Sequence, residues 1–242
     1  MGYKMSVKDK VIIALDVQSK ADLDKLINNL EGAATFVKVG MELFYTFGPN
    51  IITDLKEKGF KVFLDLKIHD IPNTAKNSAK TITKLGADII NVHAAGGIEM
   101  MRAAVAGVDE AIYENNKIHR PLVIAVTQLT STNQETLNRD LLISGSIEEV
   151  VVQYAKNAKS AGLDGVVSSP LEVKRIKEEV GDEFLCITPG IRPKGSNSND
   201  QKRVTTPKEA LNSGSDYIVI GRAVTISQNP KLAYDEIIKG LE

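Results

Sequence analysis

An α/β fold of the (β/α)8 or TIM-barrel type, a single domain over 1–242, is predicted by three features of the sequence. Short β-branched runs alternate eight times with longer amphipathic stretches, those stretches repeatedly stop at glycine, and no break in composition marks a linker. An open doubly wound sheet usually has fewer strands and often a glycine fingerprint after the first. Here neither GxGxxG nor GxxxxGK[ST] occurs.

In chain order, the first run, 11–17, carries Asp16 near its end, and Ser19 with Asp22 follows as a helix start. The second, 36–40, contains Lys38. The third, 61–68, begins just after Gly59 and contains Asp65 and Lys67; Pro72 then opens a helix through Asn73 and Thr74. The fourth, 89–94, follows Gly86 and interrupts its aliphatics with Asn91 and His93. The fifth is 122–128, and the sixth, 165–169, follows Gly162. The seventh, 184–189, follows Gly181; the eighth, 217–222, follows Gly214 and ends in Gly221-Arg222. A glycine just past a helix supplies the left-handed residue that releases the chain into the next strand.

Composition removes several classes of function. Thirty basic and thirty-one acidic side chains leave a formal charge of -1, without the broad basic surface that coating nucleic acid or an anionic membrane requires. Six tyrosines, six phenylalanines and no tryptophan offer few stacking platforms for single strands, so an RNA-binding module is a poor fit. No apolar run approaches the ~20 residues of a membrane span. Met1-Gly2-Tyr3-Lys4-Met5 lacks the apolar core of a secretory signal, with Met5 an equally good start, and the single cysteine, Cys186, has no partner for an internal disulfide. A cytoplasmic, reduced protein is expected, with Cys186 a small core residue.

Barrels of this class keep their active sites at the C-terminal ends of the strands, so charged residues late in apolar runs are the candidates. Alternation puts Phe63, Asp65, Lys67 and His69 on one face of the third strand and Leu64, Leu66 and Ile68 on the other. The aliphatic face suits the surrounding helices, so Asp65 and Lys67 are expected in the barrel mouth. Asp70 has the opposite parity and joins them only through a turn, or by reaching a neighbouring subunit's site. With Lys38 the row reads Lys38, Asp65, Lys67, Asp70, alternating in sign. Flanking carboxylates favour a charged ammonium, which suits a proton donor and disfavours a Schiff-base nucleophile. A rim ion pair without catalytic consequence uses the same residues.

Thr188-Pro189-Gly190-Ile191-Arg192-Pro193 and Val219-Ile220-Gly221-Arg222-Ala223 fall where these barrels bind phosphate, with glycine admitting backbone N–H groups and arginine binding bidentately. Two arginines in surface salt bridges beside capping glycines is the alternative. The polar stretch 194–203 reads as a lid over the phosphate or as a plain loop. His119, beside Arg120, reads as a solvated loop residue; His69 and His93 can face the barrel mouth but lack the carboxylate spacing of a metal centre, and no metal is expected.

Asp65-Leu66-Lys67-Ile68-His69-Asp70-Ile71-Pro72-Asn73-Thr74 resembles the signature of the orotidine 5′-monophosphate decarboxylase family. Ala14-Leu15-Asp16, Val37-Lys38-Val39-Gly40, Val126-Thr127-Gln128-Leu129-Thr130-Ser131, Pro189-Gly190-Ile191-Arg192 and Ile220-Gly221-Arg222 extend it in order over nearly the whole chain. The resemblance implies a homodimeric barrel that makes uridine 5′-monophosphate and carbon dioxide from orotidine 5′-monophosphate without metal or organic cofactor. By similarity, Lys67 would protonate C6 of the pyrimidine and Asp65 would press on the departing carboxylate. Lys38 and Asp16 would hold ribose hydroxyls, with Lys38 completing the charge array. Asp70, Ile71 and Thr74 would complete the neighbour's site, and Thr130 would touch the pyrimidine. Arg192, Gln201, Gly221 and Arg222 would hold the phosphate.

A related metal-dependent branch, which includes 3-keto-gulonate-6-phosphate decarboxylase and hexulose-phosphate synthase, shares the Asp-x-Lys strand and the phosphate turns. It typically has a metal-binding carboxylate where this chain has Lys38, and it lacks the Ile71-Pro72-Asn73-Thr74 continuation.

Overall fold

Each of the eight runs forms a strand in the computed structural model, which describes residues 6–193 and 205–242. They are β1 Val11–Ala14, β2 Phe36–Gly40, β3 Lys61–Ile68, β4 Ile89–His93, β5 Leu122–Val126, β6 Gly165–Val167, β7 Leu185–Thr188 and β8 Tyr217–Ile220. All pair in parallel in sequence order, and β8 closes on β1 through Val11–Ile218 and Ile13–Ile220. Most strands stop short of the expected ends, and the residues that follow them form the barrel's rim. Asp16, Gln128, Ser168, Pro189 and Gly221 lie just past their strands.

The helices are α1 Lys20–Leu30, α2 Met41–Phe47, α3 Asn50–Glu57, α4 Pro72–Lys84, α5 Gly97–Glu114, α6 Ile147–Ser160, α7 Val173–Val180, α8 Pro207–Asn212, α9 Arg222–Thr225 and α10 Pro230–Lys239. Ser19 caps α1 by accepting from Asp22 N, and Pro72 occupies the first turn of α4. Gly59, Gly86, Gly162, Gly181 and Gly214 all adopt positive φ, between 85° and 114°. No helix among the described residues is long and apolar enough to cross a membrane.

Two apolar shells hold the barrel. The larger packs outward-facing strand residues such as Ile13, Val37, Leu64 and Ile90 against the helices, and the smaller fills the interior with Ile12, Phe36, Phe63, Ile89, Ile124 and Ile187. One inward position further up, Phe36 gives way to Lys38, Phe63 to Asp65, and Ile89 to Asn91. The interior thus changes from an apolar floor to a polar mouth within a single step along three neighbouring strands.

The underside is fastened by a recurring aspartate placed just before an even-numbered strand. Asp88 accepts from Val62 N (2.7 Å) and Lys56 Nζ (2.7 Å); Asp164 accepts from Val123 N (2.7 Å) and Arg120 Nη1 (3.1 Å); Asp216 accepts from Cys186 N (2.8 Å) and Lys177 Nζ (2.8 Å). In each case the aspartate's own N–H donates to the carbonyl of that same strand residue. Before β2 the corresponding residue is Thr35, whose carbonyl accepts from Lys61 N of the following strand, as the carbonyls of Asp88 and Asp164 accept from Leu122 N and Leu185 N.

On the flank, α4 and α5 cross closely at Gly107, where a Cβ would overlap the Lys76 carbonyl. Lys76, Lys80 and Lys84 of α4 pair with Glu110 and Glu114 of α5. This fixes the helix whose first turn follows Asp70 and Ile71.

Candidate active site

Lys38, Asp65 and Lys67 meet at the mouth because β2 and β3 are neighbours and both present these side chains inward. Asp65 Oδ1 lies 2.8 Å from Lys67 Nζ, its Oδ2 lies 3.2 Å from Lys38 Nζ, and Lys38 Nζ lies 3.6 Å from Asp16 Oδ1. The charges therefore run Asp16, Lys38, Asp65, Lys67. The side chains of Lys38 and Asp65 are each 12% exposed, and that of Lys67 25%.

Burial alone would neutralise both members of the Lys38–Asp65 pair. For Asp65, the cost of burial is outweighed by Lys38 and Lys67 and by hydrogen bonds from Lys67 and Asn91, so its pKa falls below the ordinary carboxylate value. For Lys38, burial is outweighed by Asp65 and Asp16, and its pKa rises. The array holds its charges because each ion has a partner of opposite sign.

Lys67 reaches Asp65 by an unusual backbone. The β3–β4 register shifts between Leu64 and Ile68, and Lys67 has φ 54°. A left-handed conformation costs a residue with a side chain about 1–2 kcal/mol. The Lys67 N–H donates to Asn91 Oδ1 (2.8 Å), and Asn91 Nδ2 donates to Asp65 Oδ1 (2.7 Å). Strict alternation put Lys67 on the correct face without signalling this irregularity.

A cavity of about 700 Å³ opens above the array. Asp16, Lys38, Asp65, Lys67, Thr130, Arg192, Gly221 and Arg222, all expected from the sequence, line it, and so do Gln18, Glu42, Gln128, Ser131 and Pro189, none of which was expected as a site residue. Gln128, Ser131 and Pro189 fall inside motifs that stood out in the sequence, whereas Gln18 and Glu42 follow the rim with no signal of their own.

Arg192 is 9% exposed, and its backbone N–H donates to the Thr205 carbonyl while Thr205 N donates to Gly190. This bridge ties together the two described ends of the segment expected as a lid. That segment and Gln201 lie outside the described residues.

Asp70, Ile71 and Thr74 do not line the cavity of their own chain. Asp70 Oδ1 accepts from Ile71 N (2.7 Å), and Ile71 is 67% exposed, prominent for an isoleucine. All three sit at the turn from β3 into α4.

His69 and His93 stand with ring centroids 5.4 Å apart beside the array; burial, His69 and Lys67 lower the His93 pKa against the opposing pull of Asp65. Among the described residues no three His, Cys, Asp or Glu side chains form a group that could hold a metal ion. Burial pushes the Cys186 thiol up to about 12, so it is a core residue and no nucleophile.

The profile of the "Orotidine 5'-phosphate decarboxylase / HUMPS family" matches residues 9–237. Orotidine 5'-phosphate decarboxylase of Bacillus cereus (strain AH187) is 51% identical over 231 residues, 96% of each chain. That of Bacillus cytotoxicus is 51% identical over 227 residues, 94% of each chain. The crystal structure of orotidine 5'-phosphate decarboxylase from Lactobacillus acidophilus superposes with a TM-score of 0.85 at 43% identity, covering 96% of this chain and 98% of that one.

Proposed function

The chain belongs to the orotidine 5′-phosphate decarboxylase / HUMPS family, and from that premise we propose that it converts orotidine 5′-monophosphate to uridine 5′-monophosphate and carbon dioxide, the last step of de novo UMP synthesis, without a cofactor. The observation that carries this reading is the row Asp16–Lys38–Asp65–Lys67 beneath a cavity that Arg192 and Arg222 also line.

In the reaction the bond between C6 and the carboxylate carbon breaks, the electron pair stays on C6, and carbon dioxide leaves. Lys67 Nζ gives C6 a proton and recovers one from water. A fixed ammonium aimed at the developing carbanion stabilises it without reorganisation, the larger contribution expected. Asp65, ionised next to the substrate carboxylate, repels it. Lys38 and Asp16 hold ribose hydroxyls, and Thr130 contacts the pyrimidine. Arg192, Gln201, Gly221 and Arg222 hold the phosphate, so that binding energy remote from C6 contributes to the transition state.

The working unit in this reading is a homodimer of cytoplasmic chains, each a single catalytic barrel over 1–242. Asp70, Ile71 and Thr74 complete the neighbour's site. Their exposed place at the head of α4, away from their own chain's cavity, supports that arrangement.

The test is the ultraviolet absorbance of orotidine 5′-monophosphate incubated with the purified protein and excess chelator. Loss of the orotate band is expected. Decay only after magnesium is added would assign the chain to metal-dependent chemistry, and no decay in either condition would leave a phosphate-binding barrel.

A further inference from the structure

β4 carries one amide among aliphatic neighbours. Asn91 faces inward one step above Ile89, is 1% exposed, and pairs in register with Ile124 of β5. A buried amide needs partners for both ends of its side chain, and Asn91 has them in two residues of the reacting array. Its Oδ1 accepts from the Lys67 backbone N–H at 2.8 Å, and its Nδ2 donates to Asp65 Oδ1 at 2.7 Å. Lys67 Nζ closes the loop on the same Asp65 oxygen at 2.8 Å.

The backbone explains why an amide stands there. Where the β3–β4 register shifts between Leu64 and Ile68, the regular ladder gives way, and the Lys67 N–H goes to a side chain instead. Lys67 is left-handed there, φ 54°, and such a backbone persists only when its surroundings hold it. Asn91 itself does not line the cavity.

We propose that Asn91 is a positioning residue: its two hydrogen bonds hold the Lys67 backbone left-handed and orient the Asp65 carboxylate, so that the ammonium and the carboxylate meet at the point of reaction. This rests on the decarboxylase reading for its kinetic readout alone.

The experiment compares Asn91→Ala and Asn91→Asp with the wild type in three measurements: kcat across pH, affinity for uridine 5′-monophosphate, and hydrogen exchange of the Lys67 amide. Asn91→Ala is expected to lower kcat about 10- to 100-fold, change nucleotide affinity by less than about twofold, and speed exchange at Lys67. In Asn91→Asp the introduced carboxyl, when protonated, accepts from Lys67 N–H and donates to Asp65 as the amide does. When ionised it has no proton to donate and repels Asp65. Its kcat relative to wild type therefore rises as pH falls, while that of Asn91→Ala stays low throughout. The other titratable groups of the cluster, Lys38, Asp65, Lys67, His69 and His93, are common to all three proteins, so the ratio isolates the introduced group.

Unchanged kcat in Asn91→Ala, equal losses of kcat and nucleotide affinity, or parallel pH profiles for the two variants would overturn the proposal. If Asn91→Ala does not fold, Asn91→Ser is read by the same criteria. Exchange at Lys67 needs no substrate: an inactive wild type whose Lys67 amide is protected, and loses that protection in Asn91→Ala, would refute the decarboxylase reading and leave the positioning role standing.

Discussion

Lys38 pairs in register with Phe63, yet its ammonium lies 3.2 Å from Asp65, two residues further along the neighbouring strand. The register partner of Asp65 is Gly40, which has no side chain to occupy the space the lysine climbs through. A Cβ at Gly40 would stand 3.3 Å from Lys38 Nζ, so the ammonium would have to give way by a few tenths of an ångström.

Gly40→Ala is therefore expected to lower kcat/KM by about three- to tenfold, since sub-ångström misplacement of a group that positions the substrate is costly. Gly40 has φ -86°, which alanine adopts freely, so the thermal midpoint should barely move. Steady-state kinetics alongside a melting curve checks this, and a large drop in stability would mean that the backbone rather than Lys38 had been disturbed.

The ionised array sets a pH dependence with two limbs. Asp65 has a lowered pKa when folded, so its contribution to stability is present above the ordinary carboxylate value and lost as pH falls through the lower folded value. Lys38 has a raised pKa, so its contribution is complete below the ordinary lysine value and lost as pH rises through the higher folded one. The stability gap between wild type and Asp65→Asn should accordingly be flat across neutral pH and narrow at the two extremes, below the carboxylate range as Asp65 is protonated and above the lysine range as Lys38 loses its proton. Denaturant unfolding at a series of pH values measures it, and a gap that closes near neutrality would contradict an ionised Asp65.

The proposed shared-site dimer makes a quantitative prediction. Lys67→Ala and Asp70→Ala proteins, each inactive, should regain about a quarter of wild-type activity when mixed equally and allowed to exchange subunits. Half the dimers are then hybrids, and each hybrid has one site with both residues intact. Activity that stays at the level of the separate variants would argue that Asp70 acts within its own chain.

On the underside, Asp216→Ala removes the acceptor for Cys186 N–H and the carboxylate partner of Lys177, whose side chain is 11% exposed. A loss of about 2–3 kcal/mol is expected, with kcat unchanged below the transition. Asp216→Asn keeps an oxygen for the backbone donor and should lose about half as much. Urea unfolding at fixed protein concentration, paired with turnover, separates the two effects.

Much of the architecture was legible because it follows from periodicities that act locally. β-branched runs became strands, and the glycines that end helices occupy the φ range that L side chains resist. The charged mouth was legible for a related reason: Asp65 and Lys67 interrupt an aliphatic strand, and an uncompensated charge is too costly to bury by accident. The break in β3 was hidden, because a left-handed lysine leaves no mark in composition or alternation. Asn91 was visible as an oddity in the fourth strand, but its purpose depends on a register shift in the third. The underside aspartates sit in plain view in Gly86-Ala87-Asp88, Gly162-Leu163-Asp164 and Gly214-Ser215-Asp216, where the glycines drew attention as helix stops. Their carboxylates became meaningful only once strands distant in sequence lay side by side.

Those three aspartates divide the barrel between its two ends. The bonds that register β3 with β4, β5 with β6 and β7 with β8 lie beneath the apolar floor, and the groups in the cavity lie above it. Such a scaffold is tolerant by construction: residues at the rim can be exchanged, and new chemistry tried there, without loosening the joints that keep the staves together.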